Sequence, residues 1–347
     1  MLRDIEAGDG PSGLKEATPA PSRQPIVFAV DGTEYAADLY LPGEASRAAI
    51  VLVPGLTPRG RDDERLVAFA STLARARFDV LVPDLPRMRA LQVTAADAEP
   101  IAAGAHWLDE RHPSRPLGVA AVSFAVGPAI IALDGTDASR RVDFFLGIGG
   151  YYDLRALITY VTTGFYREDG AADWRYRPPK KYGRWVFLLS NAGRIDDLDD
   201  RATLLEIASR RLDDPEAPID DLAATLGPDG TAVYALIINA DPERVPALIE
   251  ALPPEVRTEM DRLDLSRRPL EAVVREAVLI HDRNDRIIPA AESVALARAL
   301  EPADVHLYVV EGLDHAQVER LGPGDTLDLL DAVYTVLRLR DGALPPA

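Results

Sequence analysis

No cysteine occurs anywhere in the 347 residues, which removes disulfides, thiolate metal ligands and a cysteine nucleophile together. Long apolar runs are missing too. The longest are strand-sized, well short of the ~20 residues that a bilayer-spanning helix needs. The first 25 residues lack an apolar stretch behind a basic start, so they do not read as a secretory signal. Rich in Gly, Pro, Ser and Ala, they read as a disordered leader. Positive charge is scarce: 38 Lys and Arg stand against 56 Asp and Glu, a formal net charge of −18, with a pI near 4.7. Such a surface repels phosphate backbones, so neither nucleic acid nor membrane insertion is expected. A small-molecule substrate and a cytoplasmic location fit this balance, and the composition leaves the oligomeric state open.

What is present is ample material for a core. Hydrophobic residues make up 47% and charged residues 27%, and the length suits one large α/β domain carrying an insertion. The runs Ile26 to Val30 and Tyr35 to Leu41, split by Asp31-Gly32, read as a hairpin at a sheet edge. Ala48 to Val53 is continuously apolar and stopped by Pro54-Gly55, the pattern of a strand buried on both faces. A helical stretch from Asp63 to Arg77 and a strand from Phe78 to Val82 complete a β-α-β unit with a right-handed crossover. The alternation continues through a helix (Ala95 to Glu110), a strand (Leu117 to Val122), a helix (Phe124 to Leu133) and a strand (Val142 to Ile148). This predicts a doubly wound, mostly parallel sheet.

After Gly150 the rhythm breaks. Residues 151–271 carry helical and Pro-interrupted segments, with only a weak strand signal at Thr231 to Ile238, and read as an inserted, mostly helical cap. The pattern resumes with Ala272 to His281, a helix at Ala290 to Leu300, a strand at Val305 to Val310 and an amphipathic helix at Thr326 to Arg340. The α/β core is therefore expected over 26–150 and 272–340, with 341–347 a frayed tail.

The sharpest chemical signal is Gly118-Val-Ala-Ala-Val-Ser123-Phe-Ala-Val-Gly127, an apolar strand ending at a serine that opens a helix. A serine there sits on a strained turn that lifts its hydroxyl above the sheet, and the residues two before and two after must be small. Ala121 and Ala125 occupy those places, where Gly-x-Ser-x-Gly has glycines. A serine N-cap on an ordinary helix is the plainer reading of the same residue. Two further segments follow in the chain order that such a serine demands. Val278-Leu-Ile-His281-Asp-Arg-Asn-Asp285-Arg-Ile-Ile-Pro289 ends a strand in an acidic loop, and Glu311-Gly-Leu-Asp-His315 follows the final strand.

With these three segments the chain resembles the α/β-hydrolase superfamily over nearly all of Ile26 to Arg340 except the cap. The resemblance makes Ser123 the nucleophile of the elbow, Asp285 the acid of a His-Gly-x-x-Asp-x-x-Val-Pro loop and His315 the catalytic histidine. Asp282 stands where that loop has Gly. Some members carry the acid one strand earlier, which keeps Asp153 as a rival. The oxyanion hole would comprise the backbone N–H of Phe124 and, by resemblance to the family's His-Gly-x turn, that of Leu56, with Pro54 in place of the His. Chemistry asks for the same parts: an imidazole to take the hydroxyl proton and a carboxylate to fix its tautomer. Of five histidines, only His315 stands on a loop past the last strand.

Ten of the chain's 22 aromatics (8 Phe, 3 Trp, 11 Tyr) fall between Tyr151 and Phe187, and Tyr151, Tyr152, Trp174 and Trp185 are candidate walls of an apolar substrate pocket. Gly147-Ile-Gly-Gly150 lacks dinucleotide-binding spacing, and no His/Asp/Glu cluster has metal spacing, so no cofactor and no metal are expected. The expected activity is a serine hydrolase acting on a carboxylic ester of a small or medium apolar substrate. Hydrolysis of an amide, peptide or carbon–carbon bond, acyl transfer, and a non-catalytic binding protein on the same fold are the alternatives.

Overall fold

In the computed structural model, which describes residues 1–134, 141–168, 170–314, 317–318 and 322–342, the unbroken apolar runs become strands covered on both faces. One sheet holds β1 (Ser22–Val30), β2 (Thr33–Leu41), β3 (Ala48–Val53), β4 (Phe78–Pro83), β5 (Leu117–Val122), β6 (Phe144–Ile148), β7 (Glu276–Asp282) and β8 (Asp304–Val310). Their spatial order is β1-β2-β4-β3-β5-β6-β7-β8. The hairpin β1–β2 and the β2–β4 pair are antiparallel, and every later pairing is parallel.

Side-chain alternation sends each strand's residues to two separate cores. Val51, Val53, Leu81, Val119 and Ala121 pack on the side of the helices Ala98–Arg111 and Val126–Leu133. Ile50, Leu52, Val80, Val82 and Ala120 pack on the opposite side, against Leu66 and Leu73 of the helix Glu64–Arg75 and Val336 and Leu339 of the helix Pro323–Arg340. A fully buried Val, Leu or Ile contributes about 1.5–3 kcal/mol relative to exposure. β3 and β4 are buried at every position; the one charged residue among them, Asp79 of β4, stands 2.5 Å from His112 Nε2.

Between β6 and β7 the chain runs through the helices Leu154–Thr163, Gly183–Ala192, Leu198–Asp213, Pro228–Ile238 and Pro254–Leu263. The weak strand signal at Thr231 to Ile238 is thus corrected: it lies inside a helix. Pro228 at the first helical position presets φ, and the buried residues Val233, Leu236 and Ile237 fall on one helical face. The first 25 residues also depart from the expected disorder. They form the short helices Leu2–Ala7 and Gly13–Ala17 and enter β1 at Ser22. Polar bonds anchor them: buried Asp4 accepts from Thr72 Oγ1 at 2.6 Å and from Ser12, and Lys15 Nζ donates to the carbonyl of Gly10 at 2.7 Å. A reading that looks for apolar periodicity has nothing to detect there. Among the described residues no helix is long and apolar enough to cross a membrane.

Candidate active site

Ser123 directly follows β5 and begins a one-turn 3₁₀ segment that leads into the helix Val126–Leu133. Its φ is 60°, in the left-handed region that costs a non-glycine residue about 1–2 kcal/mol. An ordinary N-cap serine has extended backbone angles, which Ser123 does not adopt. Asp31, Arg77 and Leu91 also have positive φ; Ser123 differs from them in joining a strand of the sheet directly to a helix. Ala121 and Ala125 are both fully buried, so the small-residue requirement is met by methyl groups. The tightest approach lies elsewhere. A β-carbon on Gly150 would stand 2.6 Å from both Val126 methyls, and one on Gly127 would collide with the hydroxyl of Tyr151. These two glycines bring the serine's helix against the end of β6.

The turn after β3 lies beside the serine: a β-carbon on Gly55 would stand 3.3 Å from the Val122 carbonyl oxygen and 3.7 Å from Ser123 Cβ. Leu56 is the next residue, and its side chain and that of Phe124 line a common cavity. Strand registers place the remaining groups at the same sheet edge. Val122 pairs with Ile148 and Ile148 with Ile280, so the parallel strands β5, β6 and β7 end together, and Asp285 comes three residues past β7.

Asp285 is 1% exposed. One carboxylate oxygen accepts the backbone N–H groups of Ile287 at 2.6 Å and Ile288 at 3.1 Å, and the other lies 3.4 Å from His281 Nε2. Asp153 has a different occupation: it caps the helix Leu154–Thr163, accepting from the Ala156 N–H at 2.9 Å. His315 lies outside the described residues. Each of the four other histidines stands beside a carboxylate: His106 by Glu110 at 3.5 Å, His112 by Asp79 at 2.5 Å, His281 by Asp285, and His306 by Glu276 at 3.2 Å.

Above the strand ends lies a cavity of about 60 Å³. Leu56, Val93 and Phe124 come from the α/β core. Leu154, Leu157, Ile158 and Val161 come from the first inserted helix, Val186 and Phe187 from the second, and Met260 and Leu263 from the last. Among the described residues no lining side chain is charged. The polar ones are engaged with the backbone: Thr162 donates to the Ile158 carbonyl at 2.9 Å, Ser190 to that of Leu91, and the Asn191 amide to that of Phe187 at 2.9 Å.

Of the four aromatic candidates, only Tyr151 lines this cavity. Its hydroxyl donates to the Leu263 carbonyl at 3.0 Å, its ring stands 6.2 Å from that of Phe124, and burial pushes its pKa up. Tyr152 is half-buried beside it, with its backbone N–H bonded to Glu292 at 2.9 Å. Trp174 lies away from the cavity; its indole N–H donates to Glu243 at 2.5 Å and the Arg167 guanidinium stacks 3.8 Å from its ring. Trp185 is buried with Arg211 at 5.4 Å from its ring. The helices Leu154–Thr163 and Gly183–Ala192 contribute equal shares of the wall, with the aliphatic side chains of Leu154, Leu157, Ile158, Val161 and Val186 among them.

Sequence reasoning passed over Glu292. Its buried carboxylate accepts the N–H groups of Tyr152 at 2.9 Å and Asp153 at 2.8 Å, tying the chain at the end of β6 to the helix Ala290–Ala299. Burial pushes its pKa up to about 8, against the two amides that favour the charged form.

The sequence matches no protein-family model and no curated protein. Solved structures do resemble it. An acylaminoacyl peptidase bound to a chloromethyl ketone superimposes with a TM-score of 0.50 at 13% identity, over 92% of this chain and 42% of that one. A puromycin-hydrolyzing peptidase of Mycobacterium tuberculosis gives 0.52 at 14% identity, over 94% and 40%. A Legionella pneumophila protein gives 0.55 at 12% identity, over 94% and 93%. This chain spans about two fifths of the length of the two peptidases. At such identities the likeness speaks for architecture, and the architecture shared with them is the α/β-hydrolase fold.

Proposed function

We propose that the protein is a serine hydrolase that cleaves a carboxylic ester of a small or medium apolar substrate through an acyl-enzyme. The observation that carries this reading is Ser123 at φ 60° on the strand-to-helix turn, next to a cavity with no charged side chain among its described lining residues. In the proposed cycle the Ser123 hydroxyl attacks the ester carbonyl while His315 takes its proton. The developing oxyanion receives the amides of Phe124 and Leu56. The alcohol leaves with the proton from His315; a water then attacks the acyl carbonyl, giving its proton to the same imidazole, which returns it to Ser123 Oγ as the acid departs. Asp285 holds the imidazole and stabilises its cationic form.

The absence of charge among the described wall residues favours an ester over a peptide segment with a free terminus, since an ionised group desolvated against them would find no counter-charge there. The test is covalent labelling with a fluorophosphonate followed by peptide mapping, run beside paired nitrophenyl ester and nitroanilide substrates. Label on Ser123 with preferential ester turnover is the expected result. Label on another residue refutes the nucleophile, and faster anilide turnover refutes the bond class.

A further inference from the structure

His281 is fully buried one residue before the end of β7, with both ring nitrogens engaged. Nε2 lies 2.9 Å from the Ile288 carbonyl oxygen. A carbonyl only accepts, so this nitrogen carries a proton. Nδ1 lies 2.6 Å from Ser293 Oγ, and in the neutral ring it accepts the hydroxyl proton. Backbone and serine together thus set the tautomer, and the N–H they impose lies 3.4 Å from an Asp285 carboxylate oxygen. That distance is long for a hydrogen bond, but in a site where Asp285 is 1% exposed an N–H dipole still favours the charged carboxylate.

A second linkage runs through Ile288. Its carbonyl is bound by His281, and its N–H is given to the other Asp285 oxygen at 3.1 Å. His281 therefore bears on both carboxylate oxygens, on one directly and on the other by fixing the peptide group that donates to it. We infer that His281 is a positioning residue for the catalytic acid, with Ser293 setting its tautomer. The inference rests on reading Asp285 as that acid.

The test measures kcat and KM on a nitrophenyl ester, together with melting temperature, for His281→Gln, His281→Met, His281→Asn and Asp285→Asn in the full chain. Gln carries an amide N–H near the place of Nε2, Met matches bulk without a donor, and Asn reaches only as far as Nδ1. Met and Asn should lower kcat about ten- to a hundredfold, the value of the charged hydrogen bond that the Ile288 N–H gives Asp285 once the ring no longer fixes that peptide, with KM unchanged, while Gln restores most of the rate. If Met does not fold, the comparison of Gln with Asn decides. Parental kcat in Met or Asn overturns the inference, as does a folded Gln variant that falls as far as they do. Asp285→Asn is the separate control: parental kcat there removes Asp285 as the acid, whatever His281 does.

Discussion

The hydroxyl of Tyr151 fills the space that a β-carbon on Gly127 would need, and that hydroxyl is itself held by the Leu263 carbonyl at 3.0 Å. A cavity wall, the serine's helix and the last inserted helix thus meet at one atom. Gly127→Ala should destabilise the fold by about 1–3 kcal/mol, the cost of overpacking a filled site. Adding Tyr151→Phe should recover part of that loss, because the nearest obstructing atom is the phenol oxygen. Thermal melts of the single and double variants check this, and a single variant melting with the parent refutes it.

Ser123→Ala should lose at least ~10³-fold of ester turnover while remaining folded, since the missing group is a reactant and leaves little cavity. Ser123→Gly should be equally inactive yet more stable by about 1 kcal/mol, because glycine adopts the left-handed backbone without strain. Turnover and denaturant melts of the two variants read both effects. A glycine variant less stable than the alanine one argues against stored strain.

Asp285→Asn should lose far more activity than Asp153→Asn. Only a carboxylate holds the base in its productive tautomer, whereas Asp153 caps a helix, a task that asparagine performs as well. The reverse ranking in kcat would transfer the acid to Asp153.

Glu292 should make stability depend on pH. Its folded pKa of about 8 stands above the ordinary value of 4.5, so the folded state holds a proton that the unfolded state releases. Stability is then greatest below about pH 4.5 for this group and declines as pH rises toward about 8. Glu292→Gln keeps an acceptor for the Tyr152 and Asp153 amides and should flatten the fall in melting temperature across that window. An unchanged slope in the variant would assign the pH dependence to other groups.

Selectivity should follow the cavity wall. Ile158→Phe should lower kcat/KM for long acyl esters about tenfold or more relative to acetate, by occupying volume that the chain requires. Trp174→Ala, away from that wall, should leave the chain-length profile alone. A series of nitrophenyl esters on both variants measures the contrast, and a shift in the tryptophan variant alone would relocate the acyl site.

By itself the sequence determined the layered core, since strands buried on both faces are written mainly in apolar residues, as in Ala48 to Val53. It also determined where the serine stands, because strand, small neighbour, serine and helix follow one another within ten residues. The turn beside the serine was legible for the same local reason, as Pro54-Gly55 ends a strand. Tertiary structure alone decided which side chains wall the cavity. Trp174 and Trp185 were plausible by type, but whether a residue on an amphipathic helix faces a pocket or a neighbouring helix depends on what packs against it. The engagement of Glu292 with amides 139 and 140 residues away, and the closing of His281 onto Ser293 and Ile288 across the loop that holds Asp285, arise only when distant segments meet and water is excluded. In the chain these are an unremarkable glutamate in a helix and a histidine at the end of a strand; burial is what obliges their polar atoms to find partners, and burial is a property of the folded whole.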